Sequence, residues 1–207
     1  MIFSLNSNDD KKLKNAYDRS MRDLSTFFGF TWNQNRPKVF LVEDRTTIDK
    51  LRSMRTPDWS VGWISKRDVF ILDKKNYERD SCHKYSDKGY EMTVKHELAH
   101  CFFSVVSGGK TEPDWLWEGV AIFASGQLKN RVRPQELKCF LGIYSGKKKD
   151  LRVYNESGFA VAILIKKFGK KKLLKLIKEL RDVNSRKDFK EAFEKVYSKA
   201  PTYTLFN

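Results

Sequence analysis

The chain has 207 residues, of which 40% are hydrophobic and 14% aromatic, a composition that excludes a disordered protein and fits one domain or one compact domain with an appendage. Lys and Arg total 41 against 26 Asp and Glu, so the formal net charge is +15. Such an excess favours an anionic partner, such as nucleic acid or an anionic membrane surface, although a solvated lysine-rich surface is the simpler interpretation.

The first part of the chain combines helical and strand-like patterns. Apolar residues recur every three or four positions over 9–28 and 46–54, which predicts two helices. Runs rich in β-branched and aromatic residues at 38–44, 61–65 and 68–73 predict three strands, and the last two are close enough to form a hairpin.

From Ser86 onward the pattern is helical almost to the end, with glycines as breaks. The predicted helices cover 87–107, 114–128, 134–145, 156–168, 170–183 and 187–198. Strands early and helices late predict an α+β fold, with a small mixed sheet near the N-terminus and a mainly helical C-terminal half. We divide the chain into an N-terminal helical segment (1–35), a main domain (36–200) and a C-terminal tail (201–207).

Compartment and membrane signals are weak in this sequence. No apolar run approaches the roughly 18 residues of a membrane span, so none is expected. The beginning of the chain lacks a basic region followed by a long apolar run, which predicts a cytoplasmic protein, with secretion of a processed form as the alternative. Three cysteines are too few, and odd in number, for a disulfide framework.

The segment HELAH (96–100) carries two of the three histidines of the chain. On a helix His96 and His100 lie about 40° apart on one face, so both imidazoles can bind the same metal ion. Glu97 flanks that face, where it can accept a proton from a water that the metal activates. The spacers Leu98 and Ala99 are apolar and fit a helix held against a core. The plainer alternative is a structural helix with surface histidines.

A third ligand has to be a carboxylate, because the only other histidine, His83, lies upstream. Glu112 and Asp114 are explained as residues at the start of a helix. Glu118 is the lone charge in an otherwise apolar segment, and burying a carboxylate is costly unless it is paired or bound to a metal. We therefore predict Glu118 as the third ligand, with a simple exposed glutamate as the alternative.

The arrangement of HELAH, 17 residues and then EGVAIF (118–123) resembles the gluzincin zinc metallopeptidases, in particular the small peptidase-MA-like or minigluzincin-like domains. The resemblance extends over about 37–198 and implies a zincin-like fold with an active-site helix. It implies one Zn²⁺ per chain on His96, His100 and Glu118, with Glu97 as general base. It also implies hydrolysis of peptide bonds in a peptide or protein substrate.

The resemblance further implies two features of the cleft. A strand at its rim pairs with the substrate as an added strand. We assign this role to 68–73, with substrate-binding residues Val69, Phe70, Ile71 and Leu72; an ordinary core hairpin is the alternative. A tyrosine before the next helix supplies a hydrogen bond to the developing oxyanion. Tyr154 is the first choice and Tyr144 the second, and a merely packed or exposed tyrosine is the alternative for both.

Two further points bear on function. The Gly-x-Met-Glu-Asn type of element by which aminopeptidases hold a free amine is absent, which favours an endopeptidase. The segment 166–181 contains eight basic residues, so the rival hypothesis is a non-catalytic basic nucleic-acid-binding protein on a metallopeptidase-like scaffold. Either terminal segment could cover the cleft. The sequence does not indicate an oligomeric state.

Overall fold

The computed structural model of the protein describes residues 10–142 and 151–207. Within these ranges the chain forms three strands and eight α-helices, so the α+β prediction is confirmed. The strands are β1 (Val39–Val42), β2 (Gly62–Ser65) and β3 (Asp68–Leu72). The helices are α1 (Lys11–Phe28), α2 (Arg45–Arg52), α3 (Asp87–Ser107), α4 (Asp114–Ser125), α5 (Leu151–Phe168), α6 (Lys170–Glu179), α7 (Arg186–Tyr197) and α8 (Tyr203–Phe206).

The sheet is mixed and has the order β1-β3-β2. β1 pairs with β3 in parallel, and β2 pairs with β3 in the antiparallel direction of the predicted hairpin. β3 is therefore the central strand, and its backbone forms ladders on both sides. β2 lies at an edge of the sheet, next to α3.

The N-terminal helix α1 shares the core of the main domain. Asp10 caps it by accepting hydrogen bonds from the backbone N–H groups of Lys12 and Leu13. Its apolar face lies on α3, where the rings of Phe28 and Phe102 stack with centroids 5.6 Å apart. The tail behaves similarly: the ring of Phe206 is buried and lies 4.9 Å from that of Phe140. Both termini, as far as the structure describes them, belong to one hydrophobic core.

The predicted helix over 134–145 is wrong in its described part. Residues 134–139 are irregular, and only a short 3₁₀ turn follows at Phe140–Gly142. Glu156 explains the difference, because its Oε2 accepts hydrogen bonds from the backbone N–H groups of Lys138, Cys139 and Phe140 at 3.1, 2.7 and 3.0 Å. These contacts with α5 replace the bonds that a local helix would have formed.

The helices α4 and α5 approach each other closely because glycines lie at their crossing. A Cβ atom added at Gly119 would lie 2.5 Å from the backbone oxygen of Ser157, and one at Gly158 would lie 2.6 Å from Ile122 Cγ2. Neither space admits a side chain. This crossing fixes α4 against α5 and therefore fixes the two faces that carry Glu118 and Tyr154. Among the described helices, none combines the length and apolarity that crossing a membrane requires.

We expect Gly119→Ala to lower the free energy of unfolding by about 1–3 kcal/mol, because the added methyl group overpacks the helix crossing. Chemical denaturation measures the change. The control is Gly142→Ala, where the added Cβ meets no atom within 4 Å, and there the change should stay below about 0.5 kcal/mol. Equal effects of the two substitutions would contradict the close crossing.

Candidate metal centre

The helix α3 carries the three candidate site residues His96, Glu97 and His100, whose side chains lie in the interior of the protein. His96, Glu97 and His100 are buried, with relative exposures of 9%, 8% and 4%. The opposite face of α3, including Leu98 and Phe102, is fully buried in the core. The predicted pattern, an apolar back that anchors the helix and a histidine front, is confirmed as a description of its packing.

Three potential ligand atoms converge between α3 and α4. The Nε2 atoms of His96 and His100 lie 3.1 Å apart, and Glu118 Oε2 lies 3.3 Å from the first and 3.5 Å from the second. A tetrahedral ion with bonds of about 2.0–2.2 Å holds its ligand atoms roughly 3.3–3.6 Å apart, close to these separations. The three residues can therefore hold one metal ion.

The hydrogen-bonding of this group also fits a cation. Glu118 Oε2 is buried and has no hydrogen-bond partner among the described residues. A buried carboxylate oxygen without a donor is costly, and a metal ion at the convergence point would satisfy it. The Nδ1 atoms of His96 and His100 likewise have no partner in the described part of the chain. For His100 the ring orientation is set by stacking, because Trp117 lies parallel to it with ring centroids 4.2 Å apart.

Electrostatics keep the carboxylate in the form that binds a cation. Burial would raise the pKa of Glu118, but the imidazoles of His100 and His96 outweigh burial and hold this pKa well below its usual range. Glu118 is therefore ionised at neutral pH. Burial works against the charged form of His96, yet Glu118 and Glu97 together raise its pKa above the ordinary value.

Tyr154 meets the ligand group from α5. Its hydroxyl donates a hydrogen bond to Glu118 Oε1 at 3.2 Å, on the oxygen that faces away from the imidazoles. Burial and the Glu118 carboxylate raise the pKa of Tyr154, so its hydroxyl stays protonated and remains a donor. Tyr154 lies inside α5, which begins at Leu151, and the sequence-based placement before the helix is wrong. Tyr144 lies outside the described residues.

The carboxylate of Glu97 lies against the edge strand β2. A Cβ atom added at Gly62 would lie 3.0 Å from both Cγ and Oε1 of Glu97. The glycine thus allows the strand backbone to approach this side chain closely. The contact joins the helix that carries the histidines to the strand that forms one wall of the cleft.

The assignment of 68–73 to the cleft rim is wrong. β3 is the central strand, so its two edges are already paired, and Val69, Ile71 and Leu72 have no exposed surface. Phe70 is only partly buried, but its ring stacks on those of Phe40 and Trp63. β2, the other strand of the same hairpin, lines the cleft instead.

The cleft around the ligand group has a volume of about 720 Å³. Its walls include residues that carry no recognisable motif, namely Trp59, Trp63, His83, Lys84, Arg131 and Asn155. They come from loops, from the edge strand and, for Asn155, from α5, and none of them belongs to a pattern that sequence periodicity detects. Trp117 also lines the cleft, and the sequence does indicate it, because it directly precedes Glu118. The C-terminal tail and the described part of the N-terminal segment, residues 10–35, do not line this cleft.

No protein-family model, no curated protein and no solved structure matches this chain. The likeness to gluzincins therefore remains a prediction based on the motif. The positions of His96, His100, Glu97 and Glu118 provide the physical argument for function.

We expect Glu118→Gln to weaken binding of a divalent metal by at least about 100-fold, because loss of an outer-shell partner alone costs about 10–100-fold. Titration with zinc in the presence of a competing chromophoric chelator measures the affinity. Glu112→Gln is the matched control, because Glu112 is exposed and lies six positions earlier. An unchanged affinity in Glu118→Gln would show that the carboxylate is not a ligand.

Proposed function

We propose that this protein is a zinc-dependent peptidase with a zincin-like fold. We further propose that it is an endopeptidase, which cleaves bonds within a peptide chain. The observation that carries the proposal is the convergence of His96, His100 and Glu118, with Glu97 beside them, on the floor of an open cleft. Two imidazoles and one carboxylate are a donor set that suits zinc. Three protein ligands leave one coordination position open, as in catalytic zinc sites, whereas structural sites are closed by four.

The residues of the site would have different roles in hydrolysis. Zinc on His96, His100 and Glu118 would polarise the scissile carbonyl and lower the pKa of a water. The Glu97 carboxylate is the group that accepts the proton of the attacking water and returns it to the leaving amine. The Tyr154 hydroxyl, which stays protonated, is the donor nearest to the carboxylate ligand and can turn toward the carbonyl oxygen as charge develops there.

The edge strand β2 is the element to which a peptide would add. Within the described residues one of its sides is paired with β3, and the other faces the cleft. An extended peptide on that edge gains backbone hydrogen bonds that do not depend on sequence. Because Gly62 lies against Glu97, a bound backbone would pass directly beside the proposed base.

The charges of the cleft favour an endopeptidase. Among the described residues of its lining, the only carboxylates are Glu97 and Glu118. Both have a role at the metal centre, so the described wall offers no further carboxylate to hold a free amino terminus. Together with the absence of the aminopeptidase element from the sequence, this supports cleavage within a chain.

We expect Glu97→Gln to retain zinc and to lower kcat/KM by about 100-fold or more, because general acid–base groups contribute about 10²–10⁴. Cleavage of a mixed peptide library, with zinc quantified in the same preparations, measures both properties. Glu112→Gln serves as the control and should leave both unchanged. Full turnover by Glu97→Gln would exclude the mechanism. Absence of zinc from every preparation would favour the non-catalytic binding protein instead.

Tyr154→Phe separates two roles of the hydroxyl. If it stabilises the developing oxyanion, kcat falls about 10²–10³-fold while zinc affinity is nearly unchanged. If it only orients Glu118, zinc affinity falls by about 10–100-fold, and kcat recovers at saturating zinc. We expect the first result. Tyr203→Phe, a tyrosine in α8 outside the cleft lining, controls for loss of a hydroxyl.

A further inference from the structure

Apart from the residues of the proposed metal centre, the charged side chains that line the cleft are all basic. The described ionised residues are Arg52, Lys84, Arg131, Glu97 and Glu118. Both carboxylates belong to the metal centre, where the cation would balance them. Three basic side chains therefore line the space that a substrate would occupy, and the described lining holds no further carboxylate.

Arg131 is the cation that a hydrogen bond joins to Tyr154, the residue whose hydroxyl contacts Glu118. It follows the 3₁₀ turn at Gln127–Asn130, and its Nη1 donates to the backbone oxygen of Tyr154 at 2.8 Å and to Asn155 Oδ1 at 3.5 Å. Both acceptors are neutral, and within residues 10–142 and 151–207 its guanidinium forms no salt bridge. It is half-buried and lines the same cleft as Glu118 and His96. These two contacts use Nη1 alone, and the remaining N–H donors of a guanidinium are suited to a carboxylate.

The other two cations lie at different parts of the wall. Arg52 ends α2, and its Cζ lies 5.7 Å from the ring centroid of Trp63 on the edge strand. Lys84 precedes α3, beside His83, whose Nε2 contacts the backbone oxygen of Trp59 at 2.9 Å. The positive charge therefore lies at the end of one helix and in two loops that border the cleft. An extended ligand would meet it along its length.

We infer that the cleft selects acidic peptide segments, with Arg131 as the residue that determines specificity for a carboxylate next to the scissile bond. The inference rests on the proposed peptidase function and names its substrate class. A charge-assisted hydrogen bond of this kind favours a Glu over a Gln side chain by about tenfold or more. Because the remaining cations act through the solvent, part of the preference should weaken at high salt.

The test uses three labelled nonapeptides that differ only in their central three residues, which are all Glu, all Gln or all Lys. Affinities are measured on full-length, zinc-supplemented Glu97→Gln by fluorescence anisotropy, and cleavage is measured on the wild type. We expect the Glu peptide to bind about tenfold more tightly than the Gln peptide, and the Lys peptide to bind least.

A second substitution, added to Glu97→Gln, shows which residue is responsible for the preference for the Glu peptide. Adding Arg131→Gln should bring the Glu-to-Gln affinity ratio close to one, and Arg131→Lys should retain part of it. Arg133→Gln, an exposed arginine two positions later and outside the cleft lining, should leave the ratio unchanged. A loss in Arg133→Gln equal to that in Arg131→Gln would overturn the assignment, because net charge alone would then explain the preference.

The outcomes separate the inference from the proposed function. Preferential binding of the Glu peptide without cleavage of any peptide would support acidic recognition and contradict the peptidase. Cleavage of all three peptides with equal kcat/KM and equal affinities would support the peptidase and overturn the inference. Absence of binding for all three would overturn it as well. So would displacement of the Glu peptide by an equal concentration of single-stranded oligonucleotide of the same charge.

Discussion

The site depends on the contact between the Glu118 carboxylate and two imidazoles. The buried oxygen Oε2 of Glu118 lies 3.3 Å from His96 Nε2 and 3.5 Å from His100 Nε2. An ionised carboxylate in such a setting costs several kcal/mol unless positive charge or hydrogen bonds compensate it. The imidazoles compensate in part, and Tyr154 donates to the outer oxygen. The inner oxygen still has no donor among the described residues, and a cation there would complete the balance.

The fold holds the two sides of this contact from opposite directions. α3 is fixed by its apolar back against α1 and the sheet, so the histidines cannot withdraw into the solvent. α4 is fixed against α5 at Gly119, where contact with the backbone of Ser157 leaves no room for movement toward it. The separation of the ligand atoms thus depends on packing far from them. Such support keeps a site close to its productive geometry in the absence of substrate.

The central motif was predictable because it lies on regular helices. The four-residue spacing of His96 and His100 implies a common face, and Glu118 stands out as the single charge in an apolar segment. The order of the strands was not predictable, because periodicity identifies a hairpin but does not show which of its strands is paired on both edges. The helix expected over 134–145 failed for a related reason: Glu156, distant in sequence, captures three backbone N–H groups there. Arg131 and Trp59 lie in connections without periodicity, so only the folded chain shows that they line the cleft around the candidate metal centre.

A crystal structure of the zinc-supplemented wild type, with diffraction data collected on both sides of the zinc absorption edge, tests the proposed zinc centre directly. Such a centre predicts one anomalous peak per chain within about 2.0–2.2 Å of His96 Nε2, His100 Nε2 and a carboxylate oxygen of Glu118. A fourth position open to the cleft should hold solvent or a ligand. A structure without an anomalous peak between these three side chains, or with the zinc held elsewhere, would contradict it.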